Sequence, residues 1–244
     1  MSEWNQARSI PAGAGDMSVD AGLRGFMLGV YNKMALGLAL SAALAYGVAV
    51  TPAAMQFFFT PPMVWVTLFT PLALILISSL FMRNPSPVGA NIIYWGVVAS
   101  MGLSLGLTVF IYSSGAGGML TIIKAFLITC ATFGALSLWG YTTKRDLSGF
   151  GTFLYMGVIG LIIASLVNIF VHSSALDFAI SVIGVLVFSG LTAFKTQMIK
   201  QLYYSLGGDT RAMSVGTTYA ALSLYITFIN LFLFILRIFG GGRR

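Results

Sequence analysis

With 244 residues, 58 % of them hydrophobic and only 8 % charged, the chain has too little charge to coat a soluble globule, because soluble domains are about a quarter charged. That excludes a water-soluble enzyme and points to an integral membrane protein whose apolar exterior is solvated by lipid. The net charge of +7 comes from bases set singly between apolar runs, which fits orientation in a bilayer and not a nucleic-acid face.

A spanning helix needs about 20 apolar residues, and charges and turn residues cut this chain into seven apolar runs. The runs are apolar on all sides and too long for the alternating strands of about 10 residues that build a membrane barrel. The sequence therefore predicts an all-α membrane protein of seven transmembrane helices. Residues 1–22 read as a polar cytoplasmic head, 23–240 as the transmembrane domain and 241–244 as a basic tail. The head lacks the apolar stretch of a cleavable signal peptide, so the first span is expected to act as an uncleaved insertion signal.

The first span is expected over 28–50, with Lys33 close enough to its start to reach the headgroups. Residues 51–61 form a loop, and the second span, 62–81, carries Pro71 in its interior, which predicts a kink. The third, 90–113, holds Gly102 and Gly106 at a spacing that lets helix backbones approach, although glycine is common in membrane helices in any case. After the Ser/Gly turn at 113–118 comes the fourth, 119–141, with Lys124 read as interfacial. The fifth, 150–171, follows a polar loop containing Lys144, Arg145 and Asp146, and either Asp146 or Ser148 suits its N-cap. The sixth occupies about 178–200, and the seventh 212–236.

With the N-terminus cytoplasmic, Arg8, Arg24, Arg83, Lys144, Arg145, Lys200 and Arg211 all fall on the inner side. The outer loops 51–61, 113–118 and 172–176 then carry no Lys or Arg, as the positive-inside rule requires. Seven crossings put Arg237, Arg243 and Arg244 outside, against the rule.

Residues able to do covalent chemistry are scarce. The single Cys130 has no partner for a disulfide or thiolate site, and the single His172 lies at the mouth of the fifth span, off the helical face of Asp177. No pair of aspartates sits at membrane depth, and Ser189-Gly190 lacks the flanking glycine of a nucleophile turn. No enzyme, cofactor or metal site is expected. The polar groups within the spans are Lys124, Asn168, Lys195, Thr227 and Asn230. A charge in mid-bilayer costs about 2.5–3.5 kcal/mol on insertion scales, so it faces a cavity or snorkels to the headgroups. Both readings stay open for Lys195. Thr227 and Asn230 are expected to find partners in other helices, as interior polar positions like Asn168. A buried lysine among seven helices also raises a retinal pigment, for which a mid-membrane counter-ion is lacking.

Four segments carry a family resemblance: FGALSLWGYTTKRDLSG at 133–149, GLIIASLVN at 160–168, GVLVFSGLT at 184–192 and LYITFINLF at 224–232. Together they resemble the Bax inhibitor-1 family of multi-pass membrane proteins. The resemblance implies a bundle in which the C-terminal helix is central and six others surround it. It also implies a bacterial inner-membrane location and a role in ion homeostasis and stress tolerance. The best-described activity of the family is a pH-sensitive calcium leak gated by two aspartates on the sixth and seventh helices. A bacterial branch restrains a membrane-anchored ATP-dependent protease instead. This chain has Lys195, followed by Thr196-Gln197, where the family reads aspartate before Thr-Gln, and Thr227 where it reads the second aspartate. A hard divalent cation wants several oxygens with carboxylate charge among them, and a lysine repels it. The resemblance thus marks Lys195 and Thr227 as pore or gate positions whose acids are gone. The expected role is a modulator of ion homeostasis or membrane proteolysis; the alternative is an ion leak channel or transporter of altered selectivity. A partner such as the protease is expected to contact segment 1–22.

Overall fold

The computed structural model describes residues 12–81, 86–115 and 117–241. Every regular element among them is a helix: α1 (Ala12–Val50), α2 (Pro52–Phe59), α3 (Met63–Phe81), α4 (Pro87–Ser113), α5 (Gly118–Thr142), α6 (Ser148–Val171), α7 (Ser174–Ser205) and α8 (Thr210–Gly240).

Six helices are long and apolar enough to cross a membrane, and a seventh crossing results if α2 and α3 are counted as one broken span. The break is sharp. The axes of α2 and of Met63–Ile77 differ by 75°, across Thr60-Pro61-Pro62, where the Pro61–Pro62 bond is cis. The residues expected as a plain loop at 51–61 thus contain a short helix, begun by Pro52 at its first turn, where proline's missing N–H costs nothing. Pro71 lies inside α3, and the helix runs through it.

Helices outrun the apolar stretches at several ends, because hydropathy reports burial in lipid and not where the backbone stops being helical. At the N-terminus, residues 12–22 already belong to α1, so that part of the polar head is continuous with the first span; residues 1–11 and 242–244 lie outside the described residues. Each well-defined end has a local cause. Ser86 caps α4 by accepting the Gly89 N–H. His172 ends α6 in the left-handed conformation (φ 53°), and Gly207 and Gly208, both at positive φ, turn the chain into α8. There Asp209 accepts the N–H groups of Arg211 and Ala212. The N-cap of α6 is neither residue named from sequence. Leu147 takes that position, while Asp146, one residue earlier, accepts the Ser148 N–H.

Burial is graded across the bundle. In its most apolar stretch α8 is 56 % buried, against 11 % for α6. α8 packs on α1, α4, α5 and α7; α6 packs on α7 alone, and α3 on α2 and α4. The last helix therefore touches four others and not six. Lipid tails are as apolar as leucine, so helix association rests on close packing and hydrogen bonds. Both are visible. A Cβ at Gly102 would stand 2.9 Å from the Cα of Ser41, which is how α4 meets α1. A Cβ at Gly140 would overlap the backbone of Ala193, which is how α5 meets α7. Ser41 Oγ donates to the Val98 carbonyl (2.9 Å) and pairs with the Tyr225 hydroxyl (2.7 Å), joining α1, α4 and α8. Among the described residues, no buried side-chain nitrogen or oxygen lacks a hydrogen-bond partner, as a lipid surround demands.

Candidate functional site

Lys195 sits on the face of α7 that packs against α8, ten residues before Ser205 ends the helix. Its ammonium donates to Thr227 Oγ1 (3.0 Å) and to the Ser223 carbonyl (3.4 Å). Thr227 is fully buried, and its hydroxyl donates in turn to the Ser223 carbonyl (2.8 Å). A hydroxyl offers one proton and two lone pairs, so this chain of donors is self-consistent. Lys195 thus turns inward to α8 and not out to the headgroups. Both of its partners are neutral oxygens. Among the described residues the site is a lysine held in the bundle without a carboxylate, a poor host for a divalent ion, which needs anionic oxygen.

A second lysine does the same on another side of α8. Lys33 of α1 donates to Asn91 Oδ1 of α4 (2.5 Å) and to Thr218 Oγ1 of α8 (2.6 Å), and lies 5.3 Å from the centre of the Tyr94 ring. The Asn91 amide is oriented by its own bond to the Pro87 carbonyl (2.8 Å), and Tyr94 closes the cluster by donating to the Lys33 carbonyl (2.6 Å). The sequence reading placed Lys33 at the headgroups. The available signal was its depth, since the spanning part of α1 begins at Ala21.

The other named residues are dispersed. Asn168 is not an interior polar group: its Oδ1 accepts the Ser173 N–H (3.0 Å) at the end of α6. Asn230 bonds within its own helix, to the Ile226 carbonyl (2.8 Å), so the partner expected in another helix is not needed. Lys124 is exposed near the start of α5. Lys144, Arg145 and Asp146 lie exposed in the α5–α6 loop, and the Ser148 N–H and hydroxyl hold the Asp146 carboxyl below the usual range. The residue that organises this loop is Gln197, which sequence reasoning passed over. Its Oε1 accepts the Leu147 N–H and its Nε2 donates to the Arg145 carbonyl, both at 2.8 Å. Two positions before it, Lys195 faces α8; Gln197 faces the loop. Between them Thr196 bonds Ser137 of α5 (2.9 Å), which is also bonded to Tyr31 of α1.

Residues 23–244 match the family described as inhibitor of apoptosis-promoting Bax1. The chain belongs to the Bax inhibitor-1 family. Its relatives cover nine-tenths or more of the chain in each of three examples. An uncharacterized protein of Caulobacter vibrioides is 52 % identical, with all of both chains covered. The inner membrane protein YbhL of Escherichia coli K12 is 41 % identical over 91 % of this chain and 94 % of its own. An uncharacterized membrane protein of Streptococcus pyogenes is 36 % identical over 91 % and 94 %. With the six or seven apolar helices, this Bax inhibitor-1 family member is a multi-pass inner-membrane protein. Within the family resemblance, the two positions assigned to paired aspartates are the two that this bundle joins as Lys195 and Thr227.

Proposed function

We propose that this chain is a non-enzymatic modulator of ion homeostasis that does not leak calcium through an acid pair. One observation carries the proposal: the Lys195 ammonium rests on Thr227 Oγ1 at 3.0 Å, placing a positive charge where a permeating cation would need oxygen ligands and negative charge. A lysine held this way acts as a built-in occupant of the site. It also removes the coupled carboxylates on which a proton-gated pair depends.

The test is calcium flux into liposomes carrying the purified protein. The expected result is no leak above that of empty vesicles between pH 6 and pH 8, with a leak appearing when Lys195→Asp and Thr227→Asp are combined. Robust, acid-inhibited flux through the unmodified protein would overturn the proposal.

A second reading is an ion leak or transport pathway of altered selectivity. The inward direction of Lys195, towards α8, supports it. It differs in what it expects from the same vesicles: anion flux that disappears in Lys195→Met. A role in restraining a membrane-anchored protease would depend on the polar segment 1–22, and deleting it would abolish co-purification without changing any flux. A cytoplasmic N-terminal side is supported by the positive-inside rule, with Lys144, Arg145, Lys200 and Arg211 as the inner bases.

A further inference from the structure

Among the described residues, α1 and α5 are not packed on one another, although both pack on α8. The space between them is a cavity of about 740 Å³, bounded by Arg24 and Tyr141 at one end and reaching Ala42 along α1, with Phe133 and Phe228 among its lining. A second cavity of about 300 Å³ continues it towards Tyr46 and Met119. The two share Leu38, Ala42, Phe126 and Phe228, so they form one slot. Arg24 to Ala42 is 18 residues of helix, roughly 27 Å at 1.5 Å per residue, and one leaflet of hydrocarbon is about 15 Å deep. The slot therefore reaches from the headgroup level past the bilayer midplane.

Its width and charge select the occupant. Tyr31 of α1 and Ser137 of α5, which line the slot, are hydrogen-bonded to each other, so one tyrosine spans the gap. A helix about 10 Å across does not fit between walls tied in this way, whereas a polymethylene chain does. The walls are almost wholly apolar, and among the described residues the one charged lining residue, Arg24, is exposed at the mouth. Tyr141, which lines that end of the slot, is contacted by Lys200 of α7, which stands 5.2 Å from its ring and donates to its carbonyl (3.3 Å). The cation at the mouth is Arg24. An apolar slot ending at an exposed cation is complementary to an anionic amphiphile.

We propose that the α1–α5 slot is a binding site for an anionic phospholipid of the bilayer, with one acyl chain along α1 and its phosphate at Arg24. The site does not depend on how Lys195 is interpreted.

Cys130 lines the slot and is the single cysteine of the chain, so a bimane label goes to one place without other substitutions. The labelled protein is reconstituted in vesicles of phosphatidylcholine containing a small fraction of brominated-chain phosphatidylglycerol or, separately, brominated-chain phosphatidylcholine. A basic residue near a membrane surface favours an anionic lipid by about fivefold. Brominated phosphatidylglycerol should therefore quench the label at about one-fifth of the fraction that brominated phosphatidylcholine requires, and Arg24→Gln should remove that preference. A control label at Ile159→Cys in a Cys130→Ser background, on the exposed face of α6, should show no headgroup preference. Because the label itself occupies part of the slot, native mass spectrometry of the unlabelled protein provides the second measurement. It should retain phosphatidylglycerol over phosphatidylcholine, and less so in Arg24→Gln. Equal quenching by the two lipids, no quenching by either, or a preference that Arg24→Gln leaves intact would each overturn the proposal.

Discussion

Thr218 and Thr227 face opposite sides of α8, and each accepts a hydrogen bond from a different lysine, Lys33 of α1 and Lys195 of α7. The step of nine residues from position 218 to 227 turns the helix through about 180° and advances it about 13.5 Å. α8 is thereby clamped from two sides by ammonium groups, in a membrane domain where a charge is expensive unless it is well placed.

The Lys195–Thr227 clamp should behave as a coupled pair. Thr227→Val removes the closer acceptor and leaves the ammonium only the Ser223 carbonyl. Single replacements Thr227→Val and Lys195→Met should each lower the melting temperature in detergent, and the double replacement should cost less than their sum. The expected coupling is about 0.6–1.7 kcal/mol, the range for interhelical hydrogen bonds within membranes. Additive costs would show that the bond contributes nothing.

At the other clamp, the prediction concerns the amide. Asn91→Leu deprives Lys33 of its 2.5 Å partner and leaves Thr218 as its remaining side-chain acceptor. We expect a loss of about 1.5–3 kcal/mol, as for hydrogen bonds to charged groups, with Asn91→Asp retaining the acceptor and therefore losing less. Thermal unfolding followed by circular dichroism in detergent measures the difference.

Two glycines on α5 separate close packing from composition. Gly134 has open space where a Cβ would be, while a Cβ at Gly140 overlaps the Ala193 backbone. Gly140→Ala should destabilise by about 1–3 kcal/mol, the usual cost of overpacking; Gly134→Ala should be neutral or slightly stabilising. Similar melting temperatures for the two variants would contradict the α5–α7 contact.

Gln197 secures the α5–α6 loop with both halves of its amide. Gln197→Leu strands the Leu147 N–H and the Arg145 carbonyl, so amide exchange across 143–147 should quicken markedly while exchange in α8 stays unchanged. Gln197→Glu keeps the acceptor for Leu147 and loses the donor to Arg145, and should give an intermediate rate.

The same loop has a pH dependence of known sign. Hydrogen bonds from the Ser148 N–H and hydroxyl lower the Asp146 pKa, so the folded loop favours the carboxylate. Its contribution is present above the unfolded value of about 3.9 and is lost as pH falls through the lower folded value. Protection of the Ser148 amide should hold down to about pH 4, then fall; in Asp146→Asn that step should be absent.

Much of the architecture was legible because a lipid solvent makes hydropathy nearly a direct record of which segments cross. The apolar runs from position 90 onward all lie within helices α4 to α8. The broken element at 51–81 was harder. Phe57, Phe58 and Phe59 give α2 no polar boundary, and two prolines mark a turn without saying that a helix precedes it. Within the site, the family resemblance picked out Lys195 and Thr227, but their mutual bond is a fact of how α7 and α8 are rotated. Lys33, Asn91 and Gln197 were missed or misread for one reason. Each is an ordinary polar residue near a helix end in the sequence, and only the packing of a distant helix turns it inward.

The order of synthesis gives the burial of α8 a further meaning. A chain made from its N-terminus delivers Lys33, Ser41 and Lys195 to the bilayer before Thr218, Tyr225 and Thr227 exist to receive them. Until the final segment leaves the ribosome, Lys33 and Ser41 have only their α4 partners, Asn91 and the Val98 carbonyl, and Lys195 lacks both of its acceptors. A chain cut short before Thr210 is therefore a natural substrate for quality control, and the last helix is the step at which this protein becomes a finished bundle.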